Sequence, residues 1–453
     1  MRTDGERVLW RRTRRAAFAF VVSACLSAFA LAQTDMDSMP RVDVYREKPV
    51  YLLIERDPRV YGLPPFQTLV DEAPAGSLLK PPPGDYAGPV RVDKPLSIDG
   101  QGQVTIDAGD KGTVFILATN DATLRGLRLT GSGSSHNTDD SCLDVRGNRN
   151  RIENLTLDNC LFGIDLKQSN HNLIRKTRIR SKNLKLGARG DALRLWYSHA
   201  NRIEENEIRD SRDTVVWYSN NNVFRRNVGQ RSRYSIHFMF ANDNRVEDNR
   251  FYDNAVGIYF MYAEGGGAWR NIIRHSTGAT GMGVGFKESS NVRIEDNEIL
   301  YCGIGIGSDL SPFQPDTTIE IHRNRLAYNG VGILFNSEVG GNYLSGNIFE
   351  GNLAQVSYGG RGGSARNNEW RNNYWDDYQG FDRDGDGIGD QPHELFAFTD
   401  QIWMEIPIAR FFYNSPMMAL IDFLERLAPF SDPDRILRDE RPLFHKPARQ
   451  MTP

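Results

Sequence analysis

The residues best suited to bind a metal are the aspartates of one short acidic loop. Residues 382–390 read DRDGDGIGD, which has the alternating carboxylates of an EF-hand type of calcium loop. In such a loop every second side chain turns toward one centre, and a glycine, here Gly387, permits the sharp turn. At the twelfth position His393 replaces the bidentate glutamate of that pattern. We predict a calcium site with a structural role, whose ligands are Asp382, Asp384, Asp386, the carbonyl of Ile388 and Asp390.

A second set of candidate ligands lies on strand-like segments in the middle of the chain. Alternation predicts that residues two positions apart point outward together and that equivalent residues stack about 4.8 Å apart in successive coils. The predicted outward pairs are Arg194 and Trp196, Val215 and Trp217, His237 and Met239, and Tyr259 and Met261. Trp196, Trp217, Met239 and Met261 would then form one exposed column.

Three interpretations of this column stay open. The thioethers of Met239 and Met261 beside the imidazole of His237 are soft ligands that suit Cu(I) in an exported protein. The row that begins with Trp196 and Trp217 is also typical of a surface on which sugar rings stack. Alternatively, another part of the chain covers the column. The nearest candidate pair for carboxylate chemistry, Asp191 with Asp213, is not distinctive.

The elements that position these residues are predicted from an internal repeat. Equivalent positions in the first strand of each unit recur at spacings of 29, 21, 22, 22, 26, 20 and 29, namely Ile164, Leu193, Thr214, Ile236, Ile258, Val284, Ile304 and Ile333. Period-2 alternation indicates strands, and a unit of this length is typical of one coil of a solenoid. We predict an all-β, right-handed parallel β-helix in which turn asparagines form ladders between coils.

The two ends of the chain differ from the repeat. A basic segment followed by the apolar run 16–31 and the A-x-A sequence at Ala30 predicts an export signal cleaved near Ala32, and hence a periplasmic protein. A lipoprotein attached at Cys25 is the alternative. The predicted divisions are a signal peptide at 1–32, an N-terminal extension and cap at 33–86, the β-helix at 87–371, the acidic loop at 372–394, C-terminal helices at 395–430 and a polar tail at 431–453.

Composition excludes some classes of protein. The net charge of −3 and the pI of about 6.3 argue against binding to duplex nucleic acid. Three cysteines remain after removal of the signal, which is too few for a disulfide scaffold. Cys142 and Cys160 are 18 residues apart, near one repeat, and could lie close together, but we expect buried, unpaired side chains.

Several segments resemble the NosD family of periplasmic proteins that serve the maturation of nitrous oxide reductase. They are PPPGDYAGPVRVDKPLSIDG from Pro81, SIHFMFANDNRVEDN from Ser235, AVGIYFMYA from Ala255, NNYWDDYQGFDRDGDGIGDQPHE from Asn372 and the helical pattern from Asp400. The chain departs from the family in the glycine-rich segment 263–269 and at Leu443–Pro447. These departures leave open a paralogue that serves another exported metalloprotein.

The resemblance implies a non-catalytic accessory protein. It would act with the permease and ATPase of a membrane ABC transporter, and with a possible copper chaperone. It would deliver copper or a sulfur species to the copper sites of nitrous oxide reductase or another exported copper protein. At the positions that match the family's segments, His237, Met239 and Met261 would form a hypothetical copper-handling group. The C-terminal helices would dock on the transporter. The alternatives are a carbohydrate-binding or carbohydrate-cleaving β-helix protein and a purely structural docking scaffold.

Overall fold

Short parallel strands, stacked one coil above the next, make up most of the structure. The computed structural model describes residues 60, 62–278, 280–337, 339–359, 365–397 and 434–448. The predicted all-β parallel β-helix is confirmed within these residues. The predicted signal peptide and residues 398–430 of the predicted C-terminal helices lie outside them.

One side of every coil belongs to a twelve-strand sheet in which all neighbours are parallel. We call it the ligand-candidate sheet, because it carries His237, Met239 and Met261. Its strands are Val90–Val92, Phe115–Leu117, Ser141–Val145, Phe162–Lys167, Leu193–Trp196, Asp213–Trp217, Tyr234–Met239, Val256–Met261, Met282–Lys287, Ile304–Asp309, Val331–Phe335 and Ala354–Tyr358.

The other two sides of the coils join into a sheet of 26 strands among the described residues. One side contains Arg151–Glu153, Leu173–Arg175, Arg202–Glu204, Val223–Arg225, Arg245–Glu247, Gly267–Trp269, Arg293–Glu295, Ile319–His322, Asn342–Ser345 and Glu369–Arg371. The next contains Thr156–Cys160, Arg178–Ser181, Glu207–Arg209, Val228–Gln230, Arg250–Tyr252, Ile272–Arg274, Glu298–Leu300, Arg325–Ala327, Ile348–Glu350 and Tyr374–Trp375. The long strands Ser97–Asp107 and Thr123–Thr130 cover both sides at the start.

The core runs along the inside of the coils, where the inward residue of each strand lies above its equivalent in the coil before. On one side these inward residues are all buried, namely Ile152, Ile174, Ile203, Phe224, Val246, Ala268, Ile294, Ile321 and Leu344. Phe238, Phe260 and Phe286 stack inside the ligand-candidate sheet with ring centroids 5.1 and 5.7 Å apart. Since a single coil cannot bury this apolar face, the stack is what stabilises each coil.

The predicted asparagine ladders are present at the turns. In the longest, each asparagine side-chain oxygen accepts the backbone N–H of the asparagine one coil earlier, through Asn206, Asn227, Asn249, Asn271, Asn297, Asn324, Asn347 and Asn373. The ladder ends at Asp439, whose carboxylate accepts hydrogen bonds from the backbone N–H and from the side-chain amide of Asn373, each at 3.0 Å. These bonds satisfy backbone groups that the turns would otherwise bury without partners.

The structure closes the first coils with elements that the repeat did not predict. Helix Phe66–Glu72 lies before the first coils and packs Phe66 edge-on against Tyr86 at 5.3 Å. Strands Leu78–Leu79 and Gly84–Ala87 pair with Ser97–Asp107.

At the other end, Asp434–Asp439 lies antiparallel to His393–Ala397. The predicted polar tail therefore includes a strand, and residues 395–397 of the predicted helical segment are extended.

Cys142 and Cys160 form a disulfide, so the expectation of two unpaired buried residues was wrong. Phe162 pairs with Ser141, so the chain between them makes one coil, with Cys142 at its start and Cys160 at its end. The Cα atoms of the two cysteines are 5.5 Å apart, within the usual range for a disulfide. A cross-link that closes one coil fits an oxidising compartment.

Candidate functional site

Two columns of outward side chains run up the ligand-candidate sheet. In the outer column, the register joins Lys167, Trp196, Trp217, Met239, Met261, Lys287 and Asp309. In the inner column it joins Asp144, Asp165, Arg194, Val215, His237, Tyr259 and Gly285. The structure thus brings His237, Met239 and Met261 onto adjoining strands, with Trp196 and Trp217 on the two coils before.

The outer column is half-buried, whereas the alternation alone predicted an exposed one. A third column of aromatic residues lies beside it at the turns: Tyr197, Tyr218, Phe240 and Tyr262, all with φ between 46° and 53°. Their rings stack nearly parallel with centroids 5.0, 5.1 and 4.6 Å apart, and Tyr197 also packs against Trp196. Sequence alternation could not find this column, because a left-handed turn residue breaks the alternation of strand residues.

Like Trp217, His237 has a buried ring nitrogen without a hydrogen-bond partner among the described residues. Its side chain is held between Tyr234, stacked at 4.5 Å, and Tyr259, edge-on at 5.7 Å, so that only 8% of the residue is exposed. Its Nε2 is buried and has no hydrogen-bond partner among the described residues. Burial lowers the pKa of His237 to about 4, with the opposing charges of Asp213 and Arg233 contributing less. The imidazole is therefore neutral at pH 7.

The acidic loop brings together three of its five predicted ligands. Asp382, Asp384 and Asp386 each offer a carboxylate oxygen, and these oxygens lie within 4.8 Å of one another. Asp382 also accepts the backbone N–H groups of Gly385, Asp386 and Gly387, which folds the loop around its carboxylate. Gly387 has φ of +82°, in agreement with the turn predicted there.

The other two predicted calcium ligands have different surroundings. The carboxylate of Asp390 accepts the N–H of Arg383 at 2.9 Å, so it closes the loop from the far side. Ile388 forms an antiparallel bridge with Leu443. The bridge is flanked by hydrogen bonds from Gly389 N–H to the Pro442 carbonyl and from Phe444 N–H to the Gly387 carbonyl. The loop is thereby attached to the last described segment.

The carboxylate pair Asp191 and Asp213 is buried and engaged by arginines. Arg212 Nε lies 3.0 Å from Asp191, and Arg233 binds Asp213. Burial raises the pKa of Asp191, although the hydrogen bond from Arg212 and its charge act against this. Both carboxylates have structural partners, which is the ordinary arrangement for buried charges.

The fold and these columns define the chain as a parallel β-helix protein that presents aromatic, thioether and imidazole groups on one sheet. Residues 176–380 match the model of a family described as NosD, periplasmic copper-binding protein. The matched residues include the central coils and most of the columns. Over these residues the sequence is similar to that family, which supports the resemblance found in the sequence.

A named relative supports the same family. The chain is 35% identical over 77 residues to the probable ABC transporter binding protein NosD of Pseudomonas aeruginosa. This match spans 17% of the chain and 18% of the relative's length.

Solved structures with a similar backbone come from other families. They include the A-module of mannuronan C-5 epimerase AlgE6 of Azotobacter vinelandii, with 16% identity and a TM-score of 0.46 over 67% of this chain and 92% of that one. Another is PfbA, a surface adhesin of Streptococcus pneumoniae, with 13% identity and a TM-score of 0.39 over 64% and 82%. Likenesses of this degree carry no information about the activity of this chain. No helix among the described residues is long and apolar enough to cross a membrane.

Proposed function

We propose that this chain is a non-catalytic periplasmic accessory protein that holds copper while the copper sites of nitrous oxide reductase are assembled. The match to a family described as periplasmic and copper-binding supports this role. The disulfide between Cys142 and Cys160 supports a compartment outside the cytoplasm. The relative's description as an ABC transporter binding protein supports a transporter's permease and ATPase as partners.

The observation that carries the proposal is the unsatisfied imidazole beside two thioethers. A buried ring nitrogen without a partner costs free energy unless something binds it. Because burial keeps His237 neutral, one of its ring nitrogens has a lone pair at pH 7, and Nε2, which has no hydrogen-bond partner among the described residues, can be that nitrogen. Met239 and Met261 are paired in the register of their two parallel strands, so their side chains lie on the same face in neighbouring coils. One imidazole nitrogen with two thioether sulfurs is a donor set that suits Cu(I) as cargo.

Two features weigh against sugar stacking along the aromatic column and against sugar turnover on this sheet. The rings of Tyr197, Tyr218, Phe240 and Tyr262 cover one another's faces, so that solvent meets mainly their edges. A sugar stacks on a ring face, which is available only at the ends of such a column. The carboxylates of Asp191 and Asp213 are bound by arginines. We therefore propose an accessory role instead of turnover.

We also propose that the acidic loop binds Ca²⁺ through Asp382, Asp384 and Asp386, with Ile388 and Asp390 completing or supporting the site. Clustered carboxylate oxygens within 4.8 Å fit a hard cation better than copper. Its role would be structural, because the loop is bridged to Leu443 and does not reach the columns of the ligand-candidate sheet by any described contact.

The copper proposal is tested by anaerobic Cu(I) titration of the secreted mature protein against a competing chelator. We expect one-to-one binding and a loss of affinity of at least tenfold in His237→Ala with Met239→Ala, since two of the three proposed ligands are removed. His275→Ala is the matched control, because His275 also stacks on a tyrosine, Tyr301, but lies outside the ligand-candidate sheet.

The result decides between the copper proposal and its alternatives. Equal affinity in the double variant and the wild type would remove the site assignment. Absence of Cu(I) binding in the wild type would favour a sulfur cargo or a purely structural docking scaffold. Retention of the β-sheet circular dichroism in the double variant shows that the loss is local.

A further inference from the structure

A pocket of about 560 Å³ opens on the ligand-candidate sheet, on the coils before His237. We call it the cationic pocket. It is lined by Asp139, Arg146, Lys167, Gln168, Arg194 and Trp196. Its volume is typical of a site for a small organic ligand. It contains neither a histidine nor a methionine, so its chemistry differs from that of the proposed copper group.

The two arginines that line the cationic pocket are each paired with a buried carboxylate of the neighbouring strands. Asp144 and Asp165 are register neighbours and are 3% and 0% exposed. Arg146 binds Asp144 through Nε at 3.1 Å and Nη2 at 2.8 Å, and Arg194 binds Asp165 in the same two-pronged way. These pairings satisfy the buried charges, as the low dielectric of the interior demands.

A third carboxylate reaches the pocket from outside the sheet. Asp139 belongs to the strand-free segment 131–140, and its carboxylate lies 2.9 Å from Arg194 Nη2 and 3.3 Å from Lys167 Nζ. It is half-buried, whereas Asp144 and Asp165 are fully buried. Burial acts to raise the pKa of Asp139, but hydrogen bonds and charges of Arg194 and Lys167 hold it below its ordinary value.

The charges leave room for one anion. With Asp139 in place, three cations (Arg146, Lys167, Arg194) face three carboxylates (Asp139, Asp144, Asp165). If Asp139 turns away, the same cations face two carboxylates, and one positive charge is left over. The vacated position is already shaped for a carboxylate, because a carboxylate occupies it. Trp196 adds a planar apolar wall, and Gln168 adds an amide.

We infer that the cationic pocket binds a carboxylate-bearing sugar, a uronate, and that Asp139 occupies the carboxylate position when no ligand is bound. The ligand carboxylate pairs with Arg194 and Lys167, and its ring lies against Trp196. Asp139 competes with the ligand for the same two cations. The uronate is either a free sugar acid or one unit of an acidic chain.

The test is calorimetric titration of the full mature protein with D-galacturonate, with D-galactose as the matched neutral ligand. Asp139→Asn removes the competing charge, and we expect it to tighten galacturonate binding on the order of tenfold. Lys167→Gln leaves Asp165 paired with Arg194 and is expected to weaken binding by a similar factor. Asp121→Asn, which breaks a comparable exposed pair with Arg149, is the control and should change nothing.

Two outcomes would overturn the inference. One is that galacturonate and galactose bind equally well. The other is that neither the wild type nor Asp139→Asn binds galacturonate at millimolar concentrations. Circular dichroism of each variant shows whether it is folded. Trigalacturonate separates the two sources: tighter binding than the monomer indicates an acidic chain, and equal binding indicates a free sugar acid.

Discussion

Two histidines of this protein are buried in similar ways but differ in what surrounds them. His237 and His393 both have a buried Nε2 without a hydrogen-bond partner among the described residues. His237 lies on a sheet face next to Met239. His393 stacks on Trp375 at 4.7 Å, behind the acidic loop, and its Nε2 is 3.6 Å from a carboxylate oxygen of Asp377. Only His237 has soft ligands on its own strand, and for that reason we assign a structural role to His393.

His393 is expected to make the fold sensitive to mild acid. Burial lowers its pKa from 6.5 to about 4. Between these two values the unfolded chain binds the proton and the folded one does not, so the free energy of unfolding falls as the pH is lowered through this window. When the pH has fallen below both pKa values, the loss in the free energy of unfolding reaches about 3 kcal/mol. His393→Phe keeps an aromatic ring on Trp375 and should shrink the fall in melting temperature between pH 7 and pH 5.

The comparison variant for this prediction is His275→Phe, which alters an exposed histidine stacked on Tyr301. It should retain the wild-type dependence on pH. An equal fall in melting temperature for His393→Phe and the wild type would show that His393 does not titrate in this window.

At the scale of strands and turns, the register between coils is specified twice. The asparagine ladders fix the turns, and a column of alternating charge fixes one outer face. That column joins Asp99, Arg125, Glu153, Arg175, Glu204, Arg225 and Glu247, each in register with the next. Pairing a coil with the coil after its true neighbour would place like charges together. Each pair contributes little individually, because the arginine side chains of the column are partly exposed. The ladder, being buried, contributes the larger share.

Asp439 is expected to be the cap on which the last coils depend. Its carboxylate accepts the two N–H groups of Asn373, the indole N–H of Trp375 at 3.2 Å and the N–H of Arg441 at 3.1 Å. Asp439→Ala leaves several buried donors without an acceptor, at a cost of about 2–4 kcal/mol. Because each coil contacts only its neighbours, hydrogen exchange should speed up in Glu369–Arg371 and Tyr374–Trp375 and stay unchanged near Asn206.

The control for the cap is Glu440→Ala, which removes a neighbouring exposed carboxylate that pairs with Arg438. No change in exchange is expected there. Uniformly faster exchange along the whole chain in Asp439→Ala would argue against a local capping role.

Local sequence patterns predict some of these elements and miss others for physical reasons. Strand residues such as Ile164 and Leu193 repeat with period 2, so the coils and the column from Trp196 to Met261 follow from spacing. The disulfide between Cys142 and Cys160 does not follow from spacing, because the distance between the two residues depends on the exact number of residues in their coil. The cationic pocket does not follow from spacing either. Asp139 and Arg194 are 55 residues apart in sequence, and only the folded segment 131–140 brings them together.

At the scale of the whole chain, the two candidate sites and the cationic pocket are built from different chemistries. His237 with its methionines offers soft donors, Arg194 with Lys167 offers positive charge, and Asp382 with its neighbours offers hard oxygens. The first two share the ligand-candidate sheet, whereas the acidic loop follows the last coil. The three proposed ligands would therefore not compete for a residue.

The acidic loop is expected to stabilise the junction after the last coil when Ca²⁺ is bound. Without the ion, three carboxylates within 4.8 Å repel one another, and binding offsets this while favouring the folded state. Calcium should raise the melting temperature of the wild type, and EDTA should reverse the rise. The rise should be absent from Asp384→Ala with Asp386→Ala, which keeps Asp382 and its three hydrogen bonds from backbone N–H groups.

Proteolysis locates this effect. If the loop attaches the segment around Leu443 through Ile388, calcium should slow cleavage in 434–448 in the wild type and not in the double variant. Asp121→Ala, remote from the loop, should respond to calcium as the wild type does. Melting and cleavage that ignore both EDTA and the double substitution would show that the loop is an acidic turn held by its own hydrogen bonds. The Cu(I) and uronate experiments would keep their meaning, because neither involves a residue of this loop.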